Sequence, residues 1–206
     1  MNYLAHLYLA EPDDDGWLGA LMGDFVKGPL DASRGDALTR AIALHRAIDT
    51  YTDAHPVVLR SKARVSTGRR RFAGVMVDLF YDHFLARHWR EYHDEPLERF
   101  SARVYGILLD RLDALPERLQ RIAPSMARTD WLGSYAEIGS VRVALDNMGR
   151  RLRRENALRG SADELVANYA ALESDFREFF PELSAFARHR HAGAAAGSGV
   201  SNGSRE

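Results

Sequence analysis

The chain has no cysteine among its 206 residues. This excludes disulfide bonds, thiolate nucleophiles, cysteine-ligated zinc and iron–sulfur clusters, so any metal must be held by His, Asp or Glu. Lysine is almost absent as well, since only Lys27 and Lys62 occur among 28 basic residues. The 29 acidic residues bring the net charge to −1, which argues against a general nucleic-acid binder.

Long hydrophobic runs are also missing, and none approaches the roughly 18 apolar residues of a membrane-spanning helix. The first residues, MNYLAHLYLAEPDDD, lack the basic region and the cleavage site of a secretory signal. Hydrophobic residues nevertheless make up 46% of the chain, which is enough for one domain with a real core. We therefore expect a single-domain, soluble, cytoplasmic protein with no membrane partner.

Apolar residues recur at helical spacing along residues 1–190, and no run alternates apolar and polar residues as a half-buried strand does. This pattern predicts an all-α, single-domain helical bundle. The segment 69–92 has the richest apolar face and is the expected central helix. The stretch 191–206 is small and polar, and we expect a disordered tail there. Helices are predicted at 2–10, 17–27, 36–55, from Pro56 onward, and at 69–92, 96–114, 116–127, 129–137, 140–156 and 161–188.

The candidate chemistry is concentrated in the first 90 residues, where six ionisable side chains stand among apolar neighbours. A buried carboxylate without a partner is costly, so such groups normally pair with a cation, a hydrogen-bonding group or a metal. A set of imidazoles and carboxylates suits Mn²⁺, Mg²⁺ or Fe²⁺. Such an ion polarises a phosphoryl oxygen and activates water, which indicates phosphoester hydrolysis. The six residues are His6, Asp24, His45, Asp49, Asp82 and His83.

Each of these residues also has an ordinary structural interpretation. His6 fits a satisfied core histidine, and Asp24 fits a capping residue. His45 and Asp49 are four residues apart on one helix face, where they could share a metal or simply a hydrogen bond. The adjacent side chains of Asp82-His83 point about 100° apart on a helix, which allows at least one of them to be structural. Their joint occurrence favours a site.

Two other features carry weaker signals. His93-Asp94 is a literal His-Asp dipeptide, but it lies in the polar stretch REYHDEP, and we interpret it as a solvated loop. The run Arg69 to Arg71 fits either a solvated helix face or a surface for an anionic partner. A second basic cluster, at 150–154, is accounted for by the dipole at a helix C-terminus.

Several motifs together resemble a known family, the acyl carrier protein phosphodiesterases, also called acyl carrier protein hydrolases. The motifs are MNYLAHLYLA, GDFVKG, LHRAIDTYTDAHP, DLFYDHFLARHW, WLGSYAEIGSVRVALDNMGRR and NYAALESDFREFFPEL, and the resemblance covers about residues 1–188. It implies an HD-domain-like helical fold, an unorthodox relative of the HD phosphohydrolases, and a divalent cation, typically Mn²⁺. The implied reaction cleaves the phosphodiester between 4′-phosphopantetheine and a serine of holo-acyl carrier protein.

The resemblance also implies residue roles. Arg46, beside His45, is expected to stabilise phosphate charge. Arg69, Arg70 and Arg71 are expected to contact the acidic carrier protein. The HD superfamily signature is His followed by Asp, whereas this chain has Asp82-His83, so the ligand atoms stay open. Catalytic roles are implied for Asp24, His45, Arg46, Asp49 and Asp82, and metal binding for His6, Asp24, His45, Asp49, Asp82 and His83.

Two other functions remain open at this point. One is a phosphohydrolase that uses the same metal centre on a nucleotide or another small phosphoester. The other is a helical module that binds an acidic partner through its arginine faces, with the His and Asp residues only structural.

Overall fold

The computed structural model describes residues 1–30, 35–152 and 156–198. These residues contain no β-strand, which confirms the all-α prediction, while the HD-like topology stays a prediction. None of the helices in these ranges is long and apolar enough to cross a membrane. The α-helices are α1 Tyr3–Leu9, α2 Asp14–Met22, α3 Asp36–Ala54, α4 Pro56–Arg64, α5 Ala73–Arg87, α6 Trp89–Tyr92, α7 Leu97–Asp110, α8 Glu117–Arg128, α9 Trp131–Ser134, α10 Ile138–Arg151, α11 Ala162–Ala167 and α12 Tyr169–Ser198, and two short 3-10 helices are Thr67–Phe72 and Leu112–Ala114.

Helix α5 is the centre of the bundle, as predicted, because 11 of its 15 residues are buried. Helices α1, α4, α10 and α12 pack around it, and a helix enclosed in this way has apolar residues on every side. The predicted helix 69–92 is, however, divided into a 3-10 turn, α5 and α6. The chain turns at His88, and the Trp89 ring is buried while its indole donates to the Glu95 carbonyl oxygen at 2.8 Å.

Helices α1 and α2 are short and largely buried, so both pack against the core. Helix α2 begins at Asp14, three residues before the predicted start, because the Asp13 carboxylate accepts a hydrogen bond from the Gly16 amide at 2.7 Å. Gly19 lies so close to α3 that a Cβ there would collide with Ala41. The two helices can approach to this distance only because position 19 has no side chain.

The last helix extends further than predicted. Helix α12 continues to Ser198, so residues 191–198 of the expected tail are helical, and 199–206 lie outside the described residues. The His191 ring holds this end of the helix, with Nε2 at 2.9 Å from the Leu9 carbonyl oxygen and Nδ1 at 2.7 Å from a Glu11 carboxylate oxygen. Pro124 lies inside α8, within the predicted helix 116–127.

A buried carboxylate joins α12 to α4. Asp175 is 1% exposed and accepts hydrogen bonds from Arg60 Nε at 2.8 Å, Arg64 Nε at 2.8 Å and Ser61 Oγ at 2.7 Å. Burial alone would raise the pKa of Asp175, but these donors outweigh it and hold the pKa below its usual value. The ionised carboxylate is therefore the link between the two helices.

We predict that Asp175→Ala lowers the free energy of unfolding by about 3 kcal/mol, because it leaves two arginines and Ser61 without their shared partner. Urea denaturation measures the change. The matched control is Glu178→Ala, which removes a half-exposed partner of Arg60 on the same helix. The control should change stability by no more than about 0.5 kcal/mol. Equal losses in the two variants would contradict the role given to Asp175.

Candidate metal centre

Three side chains from two helices form a compact cluster, which we call the His/Asp cluster: His6 of α1 with His45 and Asp49 of α3. One potential ligand atom from each lies within 4.8 Å of the others. His6 Nε2 is 3.0 Å from Asp49 Oδ1, and His45 Nε2 is 3.3 Å from Asp49 Oδ2. The two imidazole rings stack with their centroids 3.7 Å apart. The structure thus brings together three of the six predicted residues.

The orientation of His45 is fixed by the backbone of α2. Its Nδ1 lies 2.7 Å from the Ala20 carbonyl oxygen. A carbonyl oxygen can only accept, so Nδ1 carries a proton, and whenever the ring is neutral the lone pair is on Nε2. This Nε2 is buried and makes no hydrogen bond among the described residues. Metal-binding histidines commonly show the same pattern, with the second ring nitrogen donating to a carbonyl.

Gly23 provides the space for the His45 ring. A Cβ at this position would collide with three atoms of the imidazole, so the ring rests directly on the glycine backbone. Gly23 also precedes Asp24, so one short segment both contacts the His45 ring and places a carboxylate near it. No feature of the sequence indicates this role, because a glycine after a helix usually marks only the end of that helix.

Asp24 stands at the edge of the His/Asp cluster. Its Oδ1 is 3.6 Å from His45 Nε2, and its side chain is 49% exposed. Arg46 holds the loop that carries Asp24, because its guanidinium donates to the carbonyl oxygens of Val26 and Gly28, each at 2.8 Å. Two of its N–H groups are therefore committed to the loop, which makes Arg46 a positioning residue in this structure.

The structure places Asp82 beneath α1, where it serves as a cap. Its two carboxylate oxygens accept hydrogen bonds from the amides of Leu4 at 2.8 Å and Ala5 at 3.1 Å. Burial raises the pKa of Asp82 to about 7, although the two amide bonds act in the opposite direction. Through this contact the central helix fixes the helix that carries His6.

His83 points to a different part of the core. Its Nδ1 donates to the Tyr135 carbonyl oxygen at 2.8 Å, and its Nε2 lies 3.0 Å from the Tyr169 hydroxyl. Burial is the main cause that lowers the pKa of His83, so the ring is neutral and both nitrogens have partners. No nitrogen is left for a metal in this arrangement, and His83 joins α5 to the segments that contain the two tyrosines.

The charges of the His/Asp cluster are strongly coupled. Burial would lower the pKa of His45, but Asp24 and Asp49 outweigh it and raise the pKa to about 9. Burial dominates at His6 and lowers its pKa to about 4. Burial opposes ionisation of Asp49, yet the two histidines hold its pKa well below the usual range. Asp49 Oδ1 also lies 3.3 Å from the Met1 amino group.

The donor set fits a divalent cation. Two imidazoles and two carboxylates converge, at least one carboxylate is ionised, and the buried Nε2 of His45 faces both carboxylates without a hydrogen bond among the described residues. Nitrogen and oxygen donors without sulfur suit Mn²⁺, Fe²⁺ and related ions. The residues that would hold the ion are His6, Asp24, His45 and Asp49.

The remaining predicted residues make other contacts. Arg69 Nη1 lies 3.5 Å from a Glu164 carboxylate oxygen, and Arg70 donates to the Ala63 carbonyl oxygen at 3.4 Å. The Arg71 guanidinium lies 6.0 Å from the centroid of the ring of its neighbour Phe72. The His93 ring of the His-Asp dipeptide stacks on the Trp89 ring, with centroids 5.0 Å apart. The side chain is therefore less exposed to solvent than the predicted solvated loop would make it.

We predict that Gly23→Ala weakens metal binding without changing any ligand, because the added methyl group displaces the His45 ring. Isothermal titration with Mn²⁺ measures the loss, which should be at least about tenfold in affinity. Gly106→Ala is the matched control, since a Cβ there meets no atom within 4 Å. Unchanged Mn²⁺ affinity in Gly23→Ala would show that metal binding does not depend on the contact between the His45 ring and the Gly23 backbone.

We also predict that Asp82→Ala destabilises the metal-free protein by about 2 kcal/mol, because two buried amides of α1 lose their acceptor. Urea denaturation in excess EDTA measures this change without any contribution from a bound ion. Asp53→Ala, which removes an exposed carboxylate paired with Lys62, is the control. Full stability of Asp82→Ala combined with loss of Mn²⁺ binding would instead indicate that Asp82 is a metal ligand.

Comparison with known proteins identifies the family. A family model described as acyl carrier protein phosphodiesterase matches residues 1–183. Relatives with that name include a Serratia proteamaculans protein, 36% identical over 184 residues that cover 89% of this chain and 95% of the relative. Another, from Pectobacterium atrosepticum, is 34% identical over 189 residues, 91% and 98% of the two chains. No solved structure matches the chain. This chain belongs to the acyl carrier protein phosphodiesterase family.

Proposed function

We propose that the protein hydrolyses the phosphodiester that joins 4′-phosphopantetheine to a serine of holo-acyl carrier protein, using a divalent cation held by the His/Asp cluster and Asp24. The names of its relatives support the reaction class and the substrate. The observation that carries the metal site is the buried Nε2 of His45, which faces two carboxylates and makes no hydrogen bond among the described residues. Mn²⁺ is the expected ion, and a cytoplasmic location stays a prediction.

A bound divalent cation at these ligands lowers the pKa of water and polarises a phosphoryl oxygen. The protein's own contribution is to hold the donors in place before the substrate arrives. His45 is oriented by the Ala20 carbonyl oxygen, and Asp49 is held by the Nε2 of His6 at 3.0 Å. Asp24 is fixed less firmly, because its loop depends on the two hydrogen bonds from Arg46.

The roles of the carboxylates follow from their surroundings. Asp49 is anionic because both histidines lower its pKa, and it therefore serves as a ligand and not as an acid. Asp24 is half-exposed and is the carboxylate that substrate and water can reach, so we assign it to orient the attacking water and to accept its proton.

The proposed reaction balances as a simple hydrolysis. Water oxygen forms a bond to phosphorus, and the bond between phosphorus and the serine oxygen breaks. The serine oxygen takes a proton and leaves as the hydroxyl of apo-acyl carrier protein. The other product is 4′-phosphopantetheine. The buried carboxyl of Asp82 acts only through α1 in this scheme, which removes it from the predicted catalytic group.

The test is to incubate the protein with holo-acyl carrier protein and Mn²⁺ and to weigh the carrier by mass spectrometry. We expect the loss of one phosphopantetheine group, and no loss in EDTA. His45→Ala and Asp49→Ala should reduce the rate at least about a hundredfold, because each removes a metal ligand. Asp94→Ala, at an exposed carboxylate of the His-Asp dipeptide, should keep the wild-type rate.

An intact carrier after incubation with folded protein and Mn²⁺, Mg²⁺ or Fe²⁺ would contradict the proposal. Hydrolysis of free nucleotides under the same conditions would then favour the alternative of a small-molecule phosphohydrolase. Hydrolysis that continues unchanged in EDTA would contradict the metal centre while leaving the substrate assignment in place.

A further inference from the structure

The chemistry of the proposed substrate limits where its protein part can dock. The phosphorus that is attacked is bonded to a serine oxygen, so three covalent bonds of about 1.5 Å each join it to the serine Cα. The surface of the carrier must therefore lie directly against the rim of the metal centre. Asp24 is the most exposed of the four proposed ligands, with 49% of its side chain accessible against 38% for Asp49, while the two histidines are buried. The segment that carries Asp24 is thus the side from which the carrier approaches.

The segment 24–28, which we call the Asp24 loop, is fixed by a buried side chain and by hydrogen bonds. Val26 is buried in the core, and Arg46 of α3 donates to the carbonyl oxygens of Val26 and Gly28, each at 2.8 Å. Lys27 lies between these two anchored residues and is exposed. It is three residues from Asp24, so the two Cα atoms are at most about 11 Å apart. The loop therefore presents a lysine near the exposed ligand from a fixed backbone.

Arg118 of α8 adds a second exposed cation to the Asp24 loop. Its guanidinium carbon lies 5.7 Å from the centroid of the Phe25 ring, a cation–π contact. Phe25 directly follows Asp24 in the chain and is itself half-buried. The contact therefore brings the positive charge of Arg118 next to the part of the loop that supplies the exposed ligand.

The basic side chains at the Asp24 loop are not neutralised by carboxylates of the protein. Neither Lys27 nor Arg118 forms an ion pair with a described residue, and Arg46 is bound only to backbone carbonyl oxygens of the loop and to no described carboxylate. Arg121, one turn beyond Arg118 on the same helix, differs because it pairs with Glu117 at 2.9 Å. Exposed, unbalanced cations around a site fit a partner whose surface carries carboxylates.

We propose that Lys27 and Arg118 form a docking rim for the carrier protein and contact carboxylates on its surface beside the modified serine. The proposal rests on the proposed function and names the contact for its protein substrate. The rim brings the carrier to the metal centre and does not touch the reacting phosphorus. It takes the place of the other candidate contact, the run Arg69 to Arg71, in which Arg69 already faces a Glu164 carboxylate oxygen at 3.5 Å.

The test measures binding and turnover separately. Isothermal titration of the Mn²⁺-loaded protein with apo-acyl carrier protein, the expected product, gives an affinity that needs no hydrolysis. We expect Lys27→Ala and Arg118→Ala each to weaken this binding about fivefold, and the double variant about twenty-fivefold, because each removes one charge from the rim. The KM for holo-acyl carrier protein should rise by similar factors, with a smaller fall in kcat. Added salt should narrow the difference between wild type and variants, because ions screen exposed charges.

Arg121→Ala is the matched control on α8, since it removes an exposed charge that Glu117 already balances, and it should bind apo-acyl carrier protein as the wild type does. A second substrate, bis(p-nitrophenyl) phosphate, is a phosphodiester without a protein part. Equal losses of kcat/KM for this ester and for the carrier in the double variant would overturn the proposal, because Lys27 and Arg118 would then act on the phosphodiester itself.

Unchanged affinity of the double variant for apo-acyl carrier protein would also overturn the proposal, as would the absence of any binding by the wild type. The proposed reaction is judged by a different result. If the wild type binds the carrier through these two cations but does not cleave it, the docking rim stands and the proposed reaction fails.

Discussion

The seating of the His45 ring is the contact on which the rest of the site depends. The ring rests on the backbone of Gly23 and its Nδ1 is bound to the Ala20 carbonyl oxygen, so α2 sets both its position and its protonation pattern. Because α3 carries His45 and Asp49 one turn apart, fixing the first also fixes the second. The close approach of α2 and α3 at Gly19 makes this seat rigid. The buried Nε2 of His45, which makes no hydrogen bond among the described residues, is thereby directed at the carboxylates of Asp24 and Asp49.

The second constraint is the balance between positive and negative charge within the His/Asp cluster. Without a metal, a protonated His45 supplies the positive charge between Asp24 and Asp49, and its pKa of about 9 reflects those two carboxylates. A divalent cation would take over that balance and release the proton, which couples metal binding to pH. Helix α1 completes the arrangement, because the buried carboxyl of Asp82 holds its first amides and so sets the position of His6.

The sequence predicted the helical fold and the core of the site for clear reasons. Helical spacing of apolar residues identified the central helix, and ionisable residues on apolar faces identified His6, His45 and Asp49 before any contact was known. The same criterion also selected Asp82 and His83, which are as buried as the two histidines of the cluster. Spacing along the chain cannot separate them, because their roles depend on which partner each side chain meets: backbone amides for Asp82, and a carbonyl and a tyrosine for His83.

The most direct test of the account is a crystal structure of the Mn²⁺-loaded protein with an anomalous difference map recorded at the manganese edge. We expect one strong peak bonded to His45 Nε2, with His6, Asp24 and Asp49 completing the protein ligands, and with the Asp82 carboxylate still bound to the amides of α1. A peak on Asp82 or His83, or no peak at the His/Asp cluster in a fully loaded crystal, would contradict the central claim that this cluster is the metal centre.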